Sequence, residues 1–329
     1  MTAAVLPLPR SGASAVAASD YGLSTGQKVA FLVMIAFIAV APLGLYPLFV
    51  MKVMCFALFA CAFGLLIGFT GLLSFGHAAF FGMGAYIAGW TAKTFGLTPE
   101  LAVLAAGLTG AVLGLLFGLV AIRRAGLQFA MITLALSQLV YFACVQAPFT
   151  HGEDGLQDIP RGSVFGLFSL ASDTATYIFV AAVFLIGFLV IARIVHSPFG
   201  QILKSIRENE ARAISLGVET DRYKLAAFVL SAAIAGVAGG TKAIAFGFAT
   251  LVDVHFVASG EVVLMTLLGG ISTLFGPVVG AVIIESLVHF LSRQGSWATV
   301  AQGLLFILCV LAFRKGFIGT LAARLKTRL

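Results

Sequence analysis

Residues 48–69 read LFVMKVMCFALFACAFGLLIGF, with Lys52 as their one charge. A stretch this long and apolar matches the roughly 20 residues that a helix needs to cross the hydrocarbon of a bilayer. Helix is the expected form, because every backbone N–H and C=O in lipid must be satisfied within the protein. The rest of the chain repeats the pattern. Further apolar runs lie at 29–46, 78–93, 99–122, 127–146, 175–195, 224–245, 261–275, 276–292 and 298–313.

Composition gives the same reading. Of the 329 residues, 60% are hydrophobic and 10% are charged, with a mean hydropathy of +1.09. Soluble domains carry about 25% charge. A water-soluble core this apolar would have too little polar surface to cover it. The expected class is an all-α polytopic membrane protein with about ten transmembrane helices. The net charge of +7 does not point to nucleic acid, because the cations sit at the ends of apolar runs, where membrane orientation needs them. Cys55, Cys61, Cys144 and Cys309 all lie inside apolar runs and form no Cys-x-x-Cys pair. They read as small buried hydrophobes, with no metal site expected.

Loop charges orient the bundle. Arg123 and Arg124 follow the fourth run; Arg193, Lys204, Arg207, Arg212, Arg222 and Lys224 surround the loop after the sixth; Arg314, Lys315, Arg324, Lys326 and Arg328 follow the tenth. With strict alternation all of these fall on one face, which is then cytoplasmic. The loop 147–174 falls on the other face, with Glu153, Asp154, Asp158 and Asp173 against the single cation Arg161. Both termini are therefore expected in the cytoplasm. Residues 1–27, rich in Ala, Ser, Gly and Pro, read as a cytoplasmic tail, because Arg10 follows the mildly apolar start instead of preceding it as in a secretory signal. Residues 28–314 form the transmembrane domain, and 315–329 form a basic cytoplasmic tail. The pair within 261–293 is short and is broken by Gly269-Gly270 and Gly276-Pro277. It reads as two spans or as a re-entrant hairpin, and either keeps the parity.

Gly110, Gly114 and Gly118 recur at every fourth position, as do Gly64 with Gly68 and Gly276 with Gly280. Small residues at this spacing share a helix face and let backbones approach closely. Lys52 and Lys242 lie near the outer ends of their runs and are expected to snorkel, with Asp253 and Glu261 wet at the same face. Glu285 falls mid-run with His289 one turn on. It reads either as the lining of a pathway or as one buried polar contact between helices.

The loop 196–224, HSPFGQILKSIRENEARAISLGVETDRYK, is the most charged stretch. Pro198 suits a helix start and Gly217 a helix stop. Between them Ile202, Ile206 and Ala213 can share an apolar face, and Glu208 and Arg212 form an i,i+4 pair. A helix lying on lipid would show a lopsided cationic face. Balanced charge beside an apolar seam fits a protein partner better.

This loop and the run after it, SIRENEARAISLGVETDRYKLAAFVLSAAIAGVAGG at 205–240, resemble the signature of LivM-type permeases of branched-chain amino-acid ABC importers. GFTGLLSFGHAAFFGMGAYIAG at 68–89 resembles the glycine-rich segment of that family around its Ser-x-Gly-His. AGLQFAMITLALSQ at 125–138, then THGEDGLQDIP at 150–160, resembles its middle span and external loop. SGEVVLMTLLGGISTLFGPVVGA at 259–281 resembles its late hairpin. The likeness covers nearly all of the chain beyond about residue 28. Two positions depart from the pattern: Leu72 stands where the family often has Gln, and Phe129 where Tyr is common.

The resemblance implies an ABC-importer permease fold in a bacterial inner membrane. It implies a homologous second permease subunit that shares the translocation path, two cytoplasmic ATPase subunits, and a periplasmic substrate-binding protein. It assigns Arg207, Glu208, Asn209, Glu210, Ala213 and Gly217 to the ATPase contact, as a lever moved by ATP-driven closure. Candidates for the path are Ser74, Gly76, His77, Thr133 and Glu285; hydrogen bonds between helices account for His77 and Thr133 equally well. The chain has no G-x-x-x-x-G-K-[ST] phosphate loop, so ATP hydrolysis belongs to partner chains, and this subunit is expected to be no enzyme and to bind no cofactor. Branched-chain amino acids are the default substrate. Urea, short amides or other amino acids, or a self-sufficient gradient-driven transporter, are the alternatives.

Overall fold

The computed structural model describes residues 25–291, apart from 167 and 272, together with residues 300, 303, 304 and 307. The tenth apolar run and the C-terminal tail lie almost wholly outside the described residues, as do residues 1–24 of the N-terminal tail.

The first nine runs are helical. They form α1 (Thr25–Gly44), α2 (Pro47–Thr70), α3 (His77–Phe95), α4 (Pro99–Ala121), α5 (Leu127–Gln146), α6 (Asp173–His196), α9 (Thr220–Phe246), α10 (Phe256–Gly269) and α11 (Gly276–Leu291). The polar loop forms α7 (Pro198–Glu208) and α8 (Glu210–Ser215). The only described strands are a short antiparallel pair, β1 (Ser163–Val164) and β2 (Phe168–Ser169), in the loop before α6. Five helices (α2, α4, α5, α6 and α9) are long and apolar enough by themselves to cross a membrane.

α2 is apolar all round and is buried along nearly its whole length, the expected fate of a helix without a polar face. It packs on α6, α9, α10 and α11. α9 in turn packs on α3 and α4. The glycine stripe of α4 makes that last contact possible. A Cβ at Gly110 would lie 2.3 Å from the Ala232 carbonyl oxygen of α9, and one at Gly114 would lie 2.5 Å from the Ala232 Cβ.

Two departures from simple crossings shape the bundle. First, α3 does not begin at the membrane surface. α2 runs down to the end of the bundle that carries α7 and α8, termed the basic end. Residues 71–76 then double back without helix, and His77 opens α3 beside Ala62 and Ser231. Ala62 lies eight residues before the end of α2, about 12 Å along its axis at about 1.5 Å per residue. Second, α10 and α11, with 14 and 16 residues, are about 21 and 24 Å long. Each is shorter than the roughly 30 Å hydrocarbon core. They form a hairpin whose ends both lie opposite the basic end and whose tip reaches Gly68 of α2.

The loop after α6 is also different from the single helix expected between Pro198 and Gly217. It breaks at Asn209, which has extended dihedrals and caps α8 by accepting a hydrogen bond from the Arg212 amide at 3.0 Å. Glu208 and Arg212 therefore sit in different helices instead of one turn apart in a continuous one.

Replacing Gly110 with Val should push α4 off α9 and cost about 1–3 kcal/mol, the usual price of overpacking. Gly260→Ala, where nothing lies within 4 Å of the new methyl, should leave stability unchanged. Thermal unfolding in detergent, followed by size-exclusion fluorescence, separates the two.

Candidate functional site

The structure brings Ser74, Gly76, His77 and Thr133 together and places Glu285 elsewhere. The first four form a polar knot around the unwound segment 71–76. Non-helical backbone at membrane depth must find its hydrogen bonds inside the protein, and these residues supply them. The Thr133 hydroxyl accepts from the Phe75 amide at 3.2 Å, and Ser74 Oγ accepts from the Gly76 amide at 3.1 Å. Ser259 of α10 accepts from the Ala78 amide at 2.8 Å. Ser259 was not among the residues singled out by sequence, where one serine in an apolar run carries no signal of its own.

His77 is fully buried, edge-on to Phe63, Phe80 and Phe228. Its Nε2 lies 2.8 Å from Ser231 Oγ, and Ser231 donates its proton to the Ala62 carbonyl at 2.5 Å. A hydroxyl has one proton to give, so His77 must donate from Nε2. The chain His77–Ser231–Ala62 joins α3, α9 and α2. It is closely packed. Phe129, at the aromatic position of the resemblance, is buried with its ring 5.8 Å from that of Phe228. Leu72 is buried in the core.

Glu285 sits near the other end of α2. Its carboxylate is 2.9 Å from Lys52 Nζ, with side-chain exposures of 3% for Glu285 and 38% for Lys52. The contact joins α11 to α2. Lys242 departs from expectation. It does not snorkel, and Asp253 is not wet. Lys242 Nζ lies 2.6 Å from both carboxylate oxygens of Asp253, and both residues are buried. Asp253 also accepts from the Thr250 amide and hydroxyl, so its charge is fully satisfied. Eleven residues separate this pair in sequence. The turn after α9 folds back and brings them together, which hydropathy alone does not reveal.

The coupling loop divides its six assigned residues. Arg207, Glu210 and Ala213 make contacts toward the bundle. Arg207 donates to the Gly68 carbonyl, Glu210 pairs with Lys224, and Ala213 is buried. Glu208, Asn209 and Gly217 are exposed, as Arg207 also is despite its contact, and Gly217 has φ +84° at the turn that ends α8. Beside them stand two apolar side chains that the sequence reading passed over, Ile214 and Leu216, 55% and 77% exposed.

The family described as branched-chain amino acid transport system / permease component matches residues 45–313. The chain belongs to this family. Among curated proteins this permease is 27% identical to the high-affinity branched-chain amino acid transport system permease protein LivM of Salmonella typhimurium, over 93% of this chain and 78% of that one. It is 26% identical to the LivM of Escherichia coli over the same shares. LivH of Salmonella typhimurium is 25% identical over 80% of this chain and 91% of its own. No solved structure matches it. The permease is thus similar to both LivM and LivH, with LivM likeness reaching further along the chain.

Asp253→Leu leaves Lys242 buried without its partner and should cost about 3–5 kcal/mol. The double variant Lys242→Met with Asp253→Leu should recover most of that loss, since a packed apolar pair commonly replaces a buried ion pair at little cost. Melting temperatures of the three purified proteins in one detergent test this.

Proposed function

We propose that this chain is the LivM-type permease subunit of an ATP-driven importer for branched-chain amino acids in a bacterial inner membrane. The family match across residues 45–313 carries the reading. A LivH-like permease is the expected second half of the path, two ATPase subunits bind the basic end, and a periplasmic binding protein delivers substrate to the opposite end.

The orientation follows from charge. The basic end holds Arg123, Arg124 and the α7–α8 loop, so it faces the cytoplasm. The α10–α11 hairpin returns to the periplasmic end, and the expectation that both termini lie in the cytoplasm requires the apolar run 298–313 to cross once more. A reporter fused after Gly162 and another fused after Leu329 should read opposite faces; the same face for both would overturn this topology.

The outer tip of α8 supports the ATPase contact. Ile214 and Leu216 stand exposed on a polar loop, where water gives them no packing. Together with the exposed Glu208, Asn209 and Gly217 of the same loop they offer a partner both apolar and polar groups. Bound nucleotide closes the ATPase pair, moves α7–α8, and tilts the helices they touch, a two-state change of a packed bundle.

Ile214→Asp with Leu216→Asp should leave the permease inserted and folded but abolish copurification of the ATPase subunits. In liposomes the intact complex should take up leucine, isoleucine or valine only with ATP and binding protein. Uptake by this chain alone along a gradient would replace the proposal with a secondary transporter. ATP-driven uptake of urea or short amides instead would keep the permease and change its substrate.

A further inference from the structure

Three buried polar atoms on α3 and α5 have no hydrogen-bond partner within the protein: Tyr86 Oη, Ser137 Oγ and Gln138 Nε2. Tyr86 and Ser137 are fully buried, and Gln138 is partly buried. Buried polar groups are ordinarily satisfied, and lipid cannot satisfy them.

Ser137 is the sharpest case. A hydroxyl in a membrane helix has an easy solution, which is to donate to the carbonyl one turn earlier. Thr91, Thr109, Thr241 and Thr266 all do so, at 2.7, 2.8, 2.7 and 3.0 Å. Ser137 sits in the same kind of helix and does not.

The three residues belong to one cluster. Ser137 and Gln138 come one turn before Tyr141 in α5, and Ser137, Tyr141 and Cys144 follow at i, i+4 and i+7. Facing them is α3. Cys144 Sγ lies 3.2 Å from Met83 Sδ, and the Tyr86 hydroxyl is close enough to Tyr141 and Cys144 to interact with them electrostatically. The start of α10 closes a third side, with the His255 ring 5.2 Å from that of Tyr141. The cluster lies on the outer side of the polar knot. A Cβ at Gly76 would sit 2.9 Å from the Thr133 carbonyl oxygen, and from that level α3 and α5 both run away from the basic end. Gln138 and Tyr141 are partly exposed, so the cluster reaches the open edge of α5.

The atoms define the ligand. An amide nitrogen only donates, and the two hydroxyls can donate as well. Three donors without acceptors call for an acceptor on the ligand. Lys242, the buried cation at this end, is taken by Asp253, so the donors are neutral. Neutral donors can hold an anionic group without burying a fixed counter-charge, and loosely enough to release it, as a site on a path must.

Resting on the transport reading above, we infer that Tyr86, Ser137 and Gln138 form a subsite for the carboxylate of the amino acid in the outer half of the membrane. The apolar side chain of the amino acid then lies toward the open edge of α5.

Tyr86→Phe, Ser137→Ala and Gln138→Leu each delete one unpartnered atom with little change of shape. The whole complex is placed in liposomes with saturating binding protein, leucine and ATP. Uptake should fall about 10- to 150-fold in each variant, the loss of one hydrogen bond to a charged group, while ATP hydrolysis continues. In detergent the melting temperature of each variant complex should hold or rise, because an unsatisfied polar atom has left the core. Leucine should raise the melting temperature of the wild-type complex, leucinol, which lacks the carboxylate, should not, and the three variants should lose the leucine shift. An equal shift with leucinol overturns the inference. So does a lower melting temperature with unchanged uptake, which would assign the three atoms to a structural water. Loss of uptake together with ATP hydrolysis also overturns it, as general damage. If one variant does not assemble, the other two decide. Wild-type uptake in the assembled variants overturns the inference alone, whereas no ATP-dependent leucine uptake by the wild-type complex overturns the transport reading and the subsite with it.

Discussion

Lipid offers no hydrogen bonds. Each backbone N–H and C=O within the membrane must therefore be satisfied by the protein, and among the described residues this chain leaves regular helix at depth where α2 ends and 71–76 doubles back. That break is satisfied by specific side chains. Segment 71–76 is held by Thr70, Ser74, Thr133 and Ser259. The end of α2 is held by Thr70 on the Leu66 carbonyl and by Arg207 on the Gly68 carbonyl. Ser74 and Thr133, which attract notice in the sequence, are there for this reason. They make irregular backbone possible where a straight helix would be easier to build.

Close packing is the second condition. Lipid tails are as apolar as leucine, so helices gain little from hiding apolar surface and depend on contact distance instead. The glycine stripe of α4 against α9 meets that need, and so does Gly280, where a Cβ would be 1.7 Å from the Met265 carbonyl oxygen. These contacts set α10 and α11 as one body and α3, α4 and α9 as another, with α2 between them.

The apolar helices were legible because a run of apolar residues has one physical meaning at this length, and five of them are long and apolar enough to cross a membrane. The small-residue face of α4 was legible for the same reason, since its spacing equals the helix repeat. The pairing of charges was not. Along the sequence Lys242 looks like a lone ion that snorkels to water, and Glu285 like a pathway lining or a buried contact whose partner is not named. Their partners are set by how the turn after α9 folds and by which helix lies beside α2, and neither is written in local hydropathy. The coupling loop fell between these cases. Its balanced charge beside an apolar seam was plain in the sequence, but the break at Asn209 came from a capping hydrogen bond. That break decides which of the six residues face outward.

The deep start of α3 also has a consequence for how the protein is made. Residue 77 leaves the ribosome long before its partners do: Ser231 follows 154 residues later and Ser259 follows Ala78 by 181. At about 5–20 residues per second, the wait for Ser231 is about 8–30 s. Through that time the nascent segment around His77 carries polar groups whose final acceptors do not yet exist. The wait is thus set by chain order, and it ends only when α9 and then α10 arrive.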